Sequence, residues 1–381
     1  MSTRWRLTRH WTCGVVVLAS TLVVAACADD QTSAEKANTA SSVSVPHGTP
    51  STSQADPRST VAKTAPKKVW PRWDPRDVSK LPTSADGEVH ALPAVITPPA
   101  SSPVLADDPI KRAVFAVAQG DVVQLLSPNG GWRTVALGGK HPGLQLSPGG
   151  TKLAISYYGD ERSEVTVHDL RTGMVRTLRP PAGFHRSDDT EWTFLTEEQL
   201  LLSGAKSYVV AVNSGASEAV PYPVGLSRAI DPDGNVLVSS QWGSPKLLTD
   251  FRGEPPHEVS MTSTGRLSSI RADRDTVVGT SYDNGPFAVV VADRKTLTPR
   301  AVLPVLDHQG NYSSWGLVTL ALASDGRVLL RVATIGRGQS GFRVVAWNPR
   351  NGDLSVLSSI KLPATASVAF AEGLLRGPPE D

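Results

Sequence analysis

A chain of 381 residues with 38 Lys and Arg against 36 Asp and Glu carries a formal net charge of +2. No basic run interleaved with aromatics occurs, so the clustered cations that a phosphate backbone demands are missing and nucleic acid is excluded as a partner. The two cysteines, Cys13 and Cys27, are too few for a disulfide framework or a cysteine-rich metal site.

The N-terminus carries Arg4, Arg6 and Arg9, followed by an apolar stretch of 13 residues at 14–26, interrupted only by Ser20 and Thr21. A membrane-crossing helix needs about 20 apolar residues. This stretch is shorter and ends in small residues, as a cleavable secretory signal does. It closes on Val24-Ala25-Ala26-Cys27, which resembles the lipobox of bacterial lipoproteins. That resemblance implies a signal peptide over 1–26, a diacylglyceryl group on the Cys27 thiol, and often a further acyl chain such as palmitate. Two or more chains make a stable membrane anchor where one does not. The implied location is the extracytoplasmic face of a bacterial plasma membrane, reached by the general secretory route, since no Arg-Arg pair is present. Cys13 would leave with the signal and Cys27 would be spent on lipid. The mature chain then has 35 basic and 36 acidic residues and no cysteine left for catalysis.

Residues 28–69 contain no Leu, Ile, Phe, Met, Tyr or Trp. A segment without such side chains cannot bury enough apolar surface to offset its ordering entropy, so 27–69 is expected to be a disordered tether behind the lipid. Over 70–109 proline stays frequent, but Trp70, Trp73, Leu92, Val95 and Ile96 appear. Tryptophans in a proline-rich stretch suit an extended strap docked on a folded domain at 110–376. A short tail, 377–381, follows.

From 110 onward nearly every segment reads as a short strand rich in β-branched residues and bounded by turn residues. No sustained 3.6-residue period occurs. An apolar stretch, a tight polar turn and an apolar strand recur. Examples are Leu-Ser-Pro-Gly-Gly-Thr-Lys-Leu-Ala at 146–154 and Leu-Ala-Ser-Asp-Gly-Arg-Val-Leu-Leu at 322–330. Copies start at 146, 195, 230, 271, 322 and 370, at intervals of 35 to 51 residues. A four-stranded propeller blade of about 40–50 residues has this period. Between corners a second hairpin recurs, turning at Thr172-Gly173 and again at Asn351-Gly352. Region 112–376 resembles WD-repeat-like and TolB-like β-propellers, although the Trp-Asp and Gly-His signatures of true WD repeats are absent. The expected fold is all-β: a propeller of six blades, seven if 271–322 holds an irregular one. Its open edge would close by joining the N- and C-terminal strands. A β-sandwich array is the alternative.

If the recurring corner joins the first and second strands of each blade, the opposite face gathers Tyr157, Tyr158, Trp242 and Tyr282 with His185, Asp188 and Asp189. Asp307, His308, Tyr312 and Trp315 fall on the same face. Aromatic anchors with a few polar groups suit recognition of a protein or a glycan. His168 lies within a strand and reads as structural. The Gly-x-Ser-x-Gly elbow, the phosphate-binding loop, His-Glu-x-x-His and Gly-x-Gly-x-x-Gly are all absent, and no catalytic, cofactor or metal residues are assigned. The expectation is a monomeric, membrane-anchored, non-catalytic binding or scaffold module of the cell envelope. The alternative is an extracytoplasmic hydrolase or lyase acting on envelope glycan or peptide, which would require His185, Asp188, Asp307 and His308 to converge.

Overall fold

The structure, a computed structural model, describes residues 67–377 except 88, 140–141, 158–162, 186–190, 205, 221–226, 231–235, 240–247, 251–266, 282–286, 307–315, 335–340 and 363–365. For the strands within 227–250 it describes the backbone alone. No helix of the described residues is long and apolar enough to cross a membrane.

Two short strands, β1 (Lys68–Val69) and β2 (Val95–Ile96), precede the blades. Blade I contains β3 (Phe115–Gln119), β4 (Val122–Leu126) and β5 (Trp132–Ala136). Blade II contains β6 (Pro142–Leu146), β7 (Lys152–Tyr157), β8 (Val165–Asp169) and β9 (Val175–Leu178). Blade III contains β10 (Glu191–Phe194), β11 (Gln199–Ser203), β12 (Tyr208–Ala211) and β13 (Ser217–Ala219). A three-strand sheet follows, with β14 (Ser227–Ile230), β15 (Val236–Ser239) and β16 (Leu248–Asp250). Blade IV contains β17 (Leu267–Ala272), β18 (Thr276–Ser281), β19 (Ala288–Asp293) and β20 (Pro299–Pro304). Blade V contains β21 (Leu317–Leu322), β22 (Val328–Ala333), β23 (Phe342–Trp347) and β24 (Leu354–Ile360). Finally β25 (Val368–Phe370) pairs antiparallel with β3 and completes blade I, and a single helical turn, α1 (Glu372–Leu375), ends the fold.

The architecture is an all-β propeller. Apart from β1, β2 and β25, the strands of each sheet pair in sequence order. The inner strands are buried on both faces, because each blade is sandwiched between two others, so they read as near-continuous apolar runs rather than alternating ones. Strand β19, Ala-Val-Val-Val-Ala-Asp, is buried in its first five residues. Apolar seams join blades IV to V, V to I, I to II and II to III.

The expectation of six or seven blades is corrected to five complete four-stranded blades among the described residues, with a sheet of three strands between blades III and IV. The corner at 230 signals that a blade begins. Residues 251–266, which follow β16, lie outside the described residues, so that repeat is described by three strands. The sixth corner is corrected as well. After Phe370 the chain forms α1 instead of a turn and a strand. The second strand of blade I is already supplied by β3, and Leu375 packs fully buried into the seam between blades V and I.

The strap at 67–110 is bound at successive blade edges. Strand β1 runs parallel to β20, outermost in blade IV, and Trp73 bridges to Val305. Thr83 then bridges to Val356, and β2 runs parallel to β24, outermost in blade V. Val104 bridges to Thr134 on the outermost strand of blade I. Ordered pairing therefore starts at Lys68, inside the stretch whose composition reads as tether. At each crossing the strap sends side chains into a seam. Trp73 and Val78 enter the core between blades IV and V, Leu92 and Ile96 that between V and I, and Leu105 and Ile110 that between I and II. Burying one such side chain contributes about 1.5–3 kcal/mol.

A polar lock fixes the middle of the strap. His90 is 1% exposed, and its Nδ1 lies 2.6 Å from the Leu375 carbonyl oxygen. A carbonyl only accepts, so Nδ1 carries the proton. Nε2 then accepts from Arg327, 3.3 Å away, whose guanidinium also pairs with Asp86 at 2.7 Å and Asp325 at 2.6 Å. Burial, followed by the Arg327 charge, holds the pKa of His90 below the ordinary histidine value, despite the favourable carbonyl contact. His90 is neutral in the folded chain.

Candidate functional site: the central channel

The innermost strands of the blades enclose a cavity of about 700 Å³. Its apolar walls come from Leu144 on β6, Phe194 on β10, Val318 and Leu320 on β21, and Val368 and Phe370 on β25. At the corner face α1 lies across the mouth. Its Gly373 N–H donates to the Pro148 carbonyl in the blade II corner, 2.8 Å. Glu372 pairs with Arg271 of blade IV at 3.1 Å and with Arg376 at 2.8 Å. Arg376 donates to the Ala272 carbonyl, and its own carbonyl accepts from Ser324 N–H in the blade V corner. Glycine is needed at 373, where a Cβ would stand 2.6 Å from the Pro148 carbonyl oxygen. The helical turn is thus tied to three blades.

Both channel glutamates are committed. Glu372 serves the two arginines above. Glu197, in the blade III corner, accepts from Ser147 Oγ at 2.7 Å and from Gly149 N–H and Thr151 Oγ1, all in the blade II corner. It rivets one corner to the next. The described lining holds no histidine, cysteine or aspartate, so no base stands beside a nucleophile there. Two polar groups differ from the rest. Thr193 Oγ1 and Arg331 Nε are buried and have no hydrogen-bond partner. Burial depresses the Arg331 pKa below that of a free arginine, yet a guanidinium stays charged at any physiological pH. The chemistry this arrangement offers is binding: an apolar bore with an uncompensated cation.

Of the residues expected on the loop face, Tyr157 and His185 are described. Tyr157 ends β7. Its hydroxyl accepts from Gly138 N–H at 2.7 Å, and its ring covers Gly138 and Gly139. It braces the loop that leads into its own blade. His185 is exposed ahead of blade III, directly after Phe184, whose ring packs over Gly204. Tyr158, Asp188, Asp189, Trp242, Tyr282, Asp307, His308, Tyr312 and Trp315 lie outside the described residues, and so does Cys27. His168, as a strand residue, is buried in β8, and burial lowers its pKa to about 4. The channel residues lie on strands and corners, where the loop pattern of aromatic and titratable residues does not point. Their signal was Arg331 itself, a lone charge in Val-Leu-Leu-Arg-Val-Ala.

No protein-family model matches the chain, and no curated protein matches it either. Solved structures do. TolB from Acinetobacter baumannii is 13% identical, with a TM-score of 0.45, over 68% of this chain and 67% of that one. The RRP9 WD40 repeats are 15% identical, with a TM-score of 0.42, over 68% and 79%. The β-propeller domain of the Trilobed protease from Pyrococcus furiosus is 13% identical, with a TM-score of 0.38, over 67% and 98%. At these identities the likeness is one of fold alone.

Proposed function

We propose that this chain is a non-catalytic binding module of the bacterial cell envelope, held to the membrane through lipid on Cys27, with its ligand site in the propeller channel. The observation that carries the reading is the channel itself, an apolar bore whose glutamates are engaged and whose described lining pairs no base with a nucleophile. In this reading the three-strand sheet at 227–250 serves as the sixth sector of the ring. The loop face bearing Trp242, Tyr282, His308 and Trp315 receives the ligand or a protein or glycan that presents it. The tether at 27–66 places the propeller near the membrane without fixing its orientation.

Two measurements test this. Cells producing the full chain should carry it lipidated in the membrane fraction, and Cys27→Ala should release a folded protein into the extracytoplasmic soluble fraction. A Cys27→Ala protein that still sediments with membranes would sink the anchor. For the channel, a neutral apolar probe, 2-naphthamide, should bind the full chain saturably at one site, and Val318→Trp, which fills the bore, should remove that binding. Binding that survives Val318→Trp would place the site elsewhere.

A further inference from the structure

Arg331 is an anomaly in the channel wall. It lies mid-strand in β22, opposite Val318 of β21 and Val344 of β23. Its guanidinium sits 4.9 Å from the centre of the Phe342 ring, a contact that steadies a cation without neutralising it. The channel's other arginines are treated differently: Arg271 and Arg376 share Glu372, and Arg112 is exposed to solvent. No carboxylate among the described residues pairs with Arg331, and its Nε has no acceptor. The Arg331 side chain as a whole is half-buried, with Nε cut off from solvent, and holding a partly desolvated ion without a partner is costly. Across the same cavity Thr193 Oγ1 is also buried without a partner. A hydroxyl can donate to an oxyanion, as a guanidinium can. The same cavity has the apolar walls of Phe194, Leu320, Val368 and Phe370.

We infer that the channel binds a small amphipathic oxyanion, its carboxylate, sulfonate or phosphate accepting from Arg331 and its apolar body lying along the bore. This deepens the channel reading above and rests on it. Recognition follows from complementarity: the anion supplies the counter-charge that the fold withholds, against apolar walls where a charged hydrogen bond counts for more than in open water. The apolar body replaces water against the leucine, valine and phenylalanine walls. Thr193 adds direction without adding charge.

The test uses the full chain and a matched pair of probes, 2-naphthoate and its neutral near-isostere 2-naphthamide, titrated calorimetrically into wild type, Arg331→Met and Arg331→Lys. Wild type should bind naphthoate more tightly than naphthamide by about tenfold or more, the scale of one charge-assisted hydrogen bond. Arg331→Met should erase that preference by weakening naphthoate far more than naphthamide, and Arg331→Lys should keep part of it. Without ligand, Arg331→Met should melt above wild type, because an uncompensated cation has been replaced by a side chain that still contacts Phe342. Equal affinities for the two probes in wild type would overturn the anion inference and leave the channel reading standing. A preference that persists in Arg331→Met would also overturn it, as would a lower melting temperature, which would mean the cation is already compensated. If neither probe binds, the channel reading falls and this inference with it.

Discussion

The two halves of the ring end in different ways. Around blades IV, V and I the outermost strand is covered by the strap, paired as β1 on β20 and β2 on β24 and bridged at Val104. Around blades II and III the outermost strands are bare: β9 is exposed over its first three residues and β13 over all three. An unpaired edge invites association with other strands. The bare edges are short, of four and three residues, which is one way proteins blunt that hazard. The covered half contains the seam where β25 meets β3 and completes blade I from the two ends of the propeller. Reinforcement is concentrated where the ring must be closed by residues far apart in sequence.

The largest test of this difference is removal of 67–109. Five apolar side chains leave the seams directly, and Ile110 loses the segment that positions it. At about 1.5–3 kcal/mol apiece, the sum is on the order of 10 kcal/mol, comparable with the whole stability of a typical domain. The truncated chain should show no cooperative thermal transition by circular dichroism. A sharp melt would mean that the seams hold without the strap. At single-residue scale, Ile96→Ala, at a position 1% exposed, should cost about 2–5 kcal/mol in urea unfolding. Val175→Ala on the bare strand β9, 56% exposed, should stay within about 0.5 kcal/mol. Equal costs would erase the distinction between the halves.

Acid probes both halves together. His168 in blade II has its pKa lowered to about 4, and His90 in the strap is lowered too. A histidine whose folded pKa is depressed favours the neutral form on folding. Its stabilisation is intact above the unfolded value of about 6.5 and is lost as the pH falls through that value toward the folded one. Between pH 7 and 4 His168 alone should remove about 3 kcal/mol, and His168→Gln should flatten the pH profile by that amount. Hydrogen exchange at the Ser359 and Leu92 amides, which bond within the strap and its edge, should rise in the same window if His90 locks the strap. Unchanged protection there would leave His90 without that role.

The smallest effect compares one turn in two settings. Gly215 and Gly352 occupy equivalent left-handed positions, φ 75° and 87°. A Cβ on Gly352 would stand 2.3 Å from Trp70 Cε3 of the strap, whereas one on Gly215 would meet only Leu178 Cδ2, at 3.9 Å. Gly215→Ala should cost about 1 kcal/mol of backbone strain. Gly352→Ala should cost about 1 kcal/mol more, as Trp70 is displaced.

This turn also illustrates what the sequence displays. Gly173, Gly215 and Gly352 each donate an N–H to the carbonyl four residues back, at Asp169, Ala211 and Asn348. Thr172-Gly173 and Asn351-Gly352 are readable as turns because glycine is the residue that adopts this conformation freely. Blade IV makes the same turn with Leu297 at φ 53°, bonded to Asp293. The leucine is fully buried, so packing overrides the conformational cost and hides the repeat from a search for glycine. The corners were legible because a tight polar turn between two apolar strands is a local signal. The channel was less so, since Arg331, Thr193 and Glu372 are brought together by ring closure and share no local pattern. The strap's tryptophans announce that something must cover them, but which blade edges they reach is decided by partners more than 230 residues away.

His90 and the Leu375 carbonyl it holds are 285 residues apart. Synthesis proceeds from the N-terminus, so the strap emerges first and waits, its own partners still unmade, until β20, β24 and α1 have appeared. Contacts so distant are slow to form. The chain therefore has a long interval in which tryptophans and valines of the strap stand uncovered, and the last few residues to appear decide when that interval ends. Shortening the C-terminus before Leu375 should leave a ring that is largely paired but cannot fasten its belt.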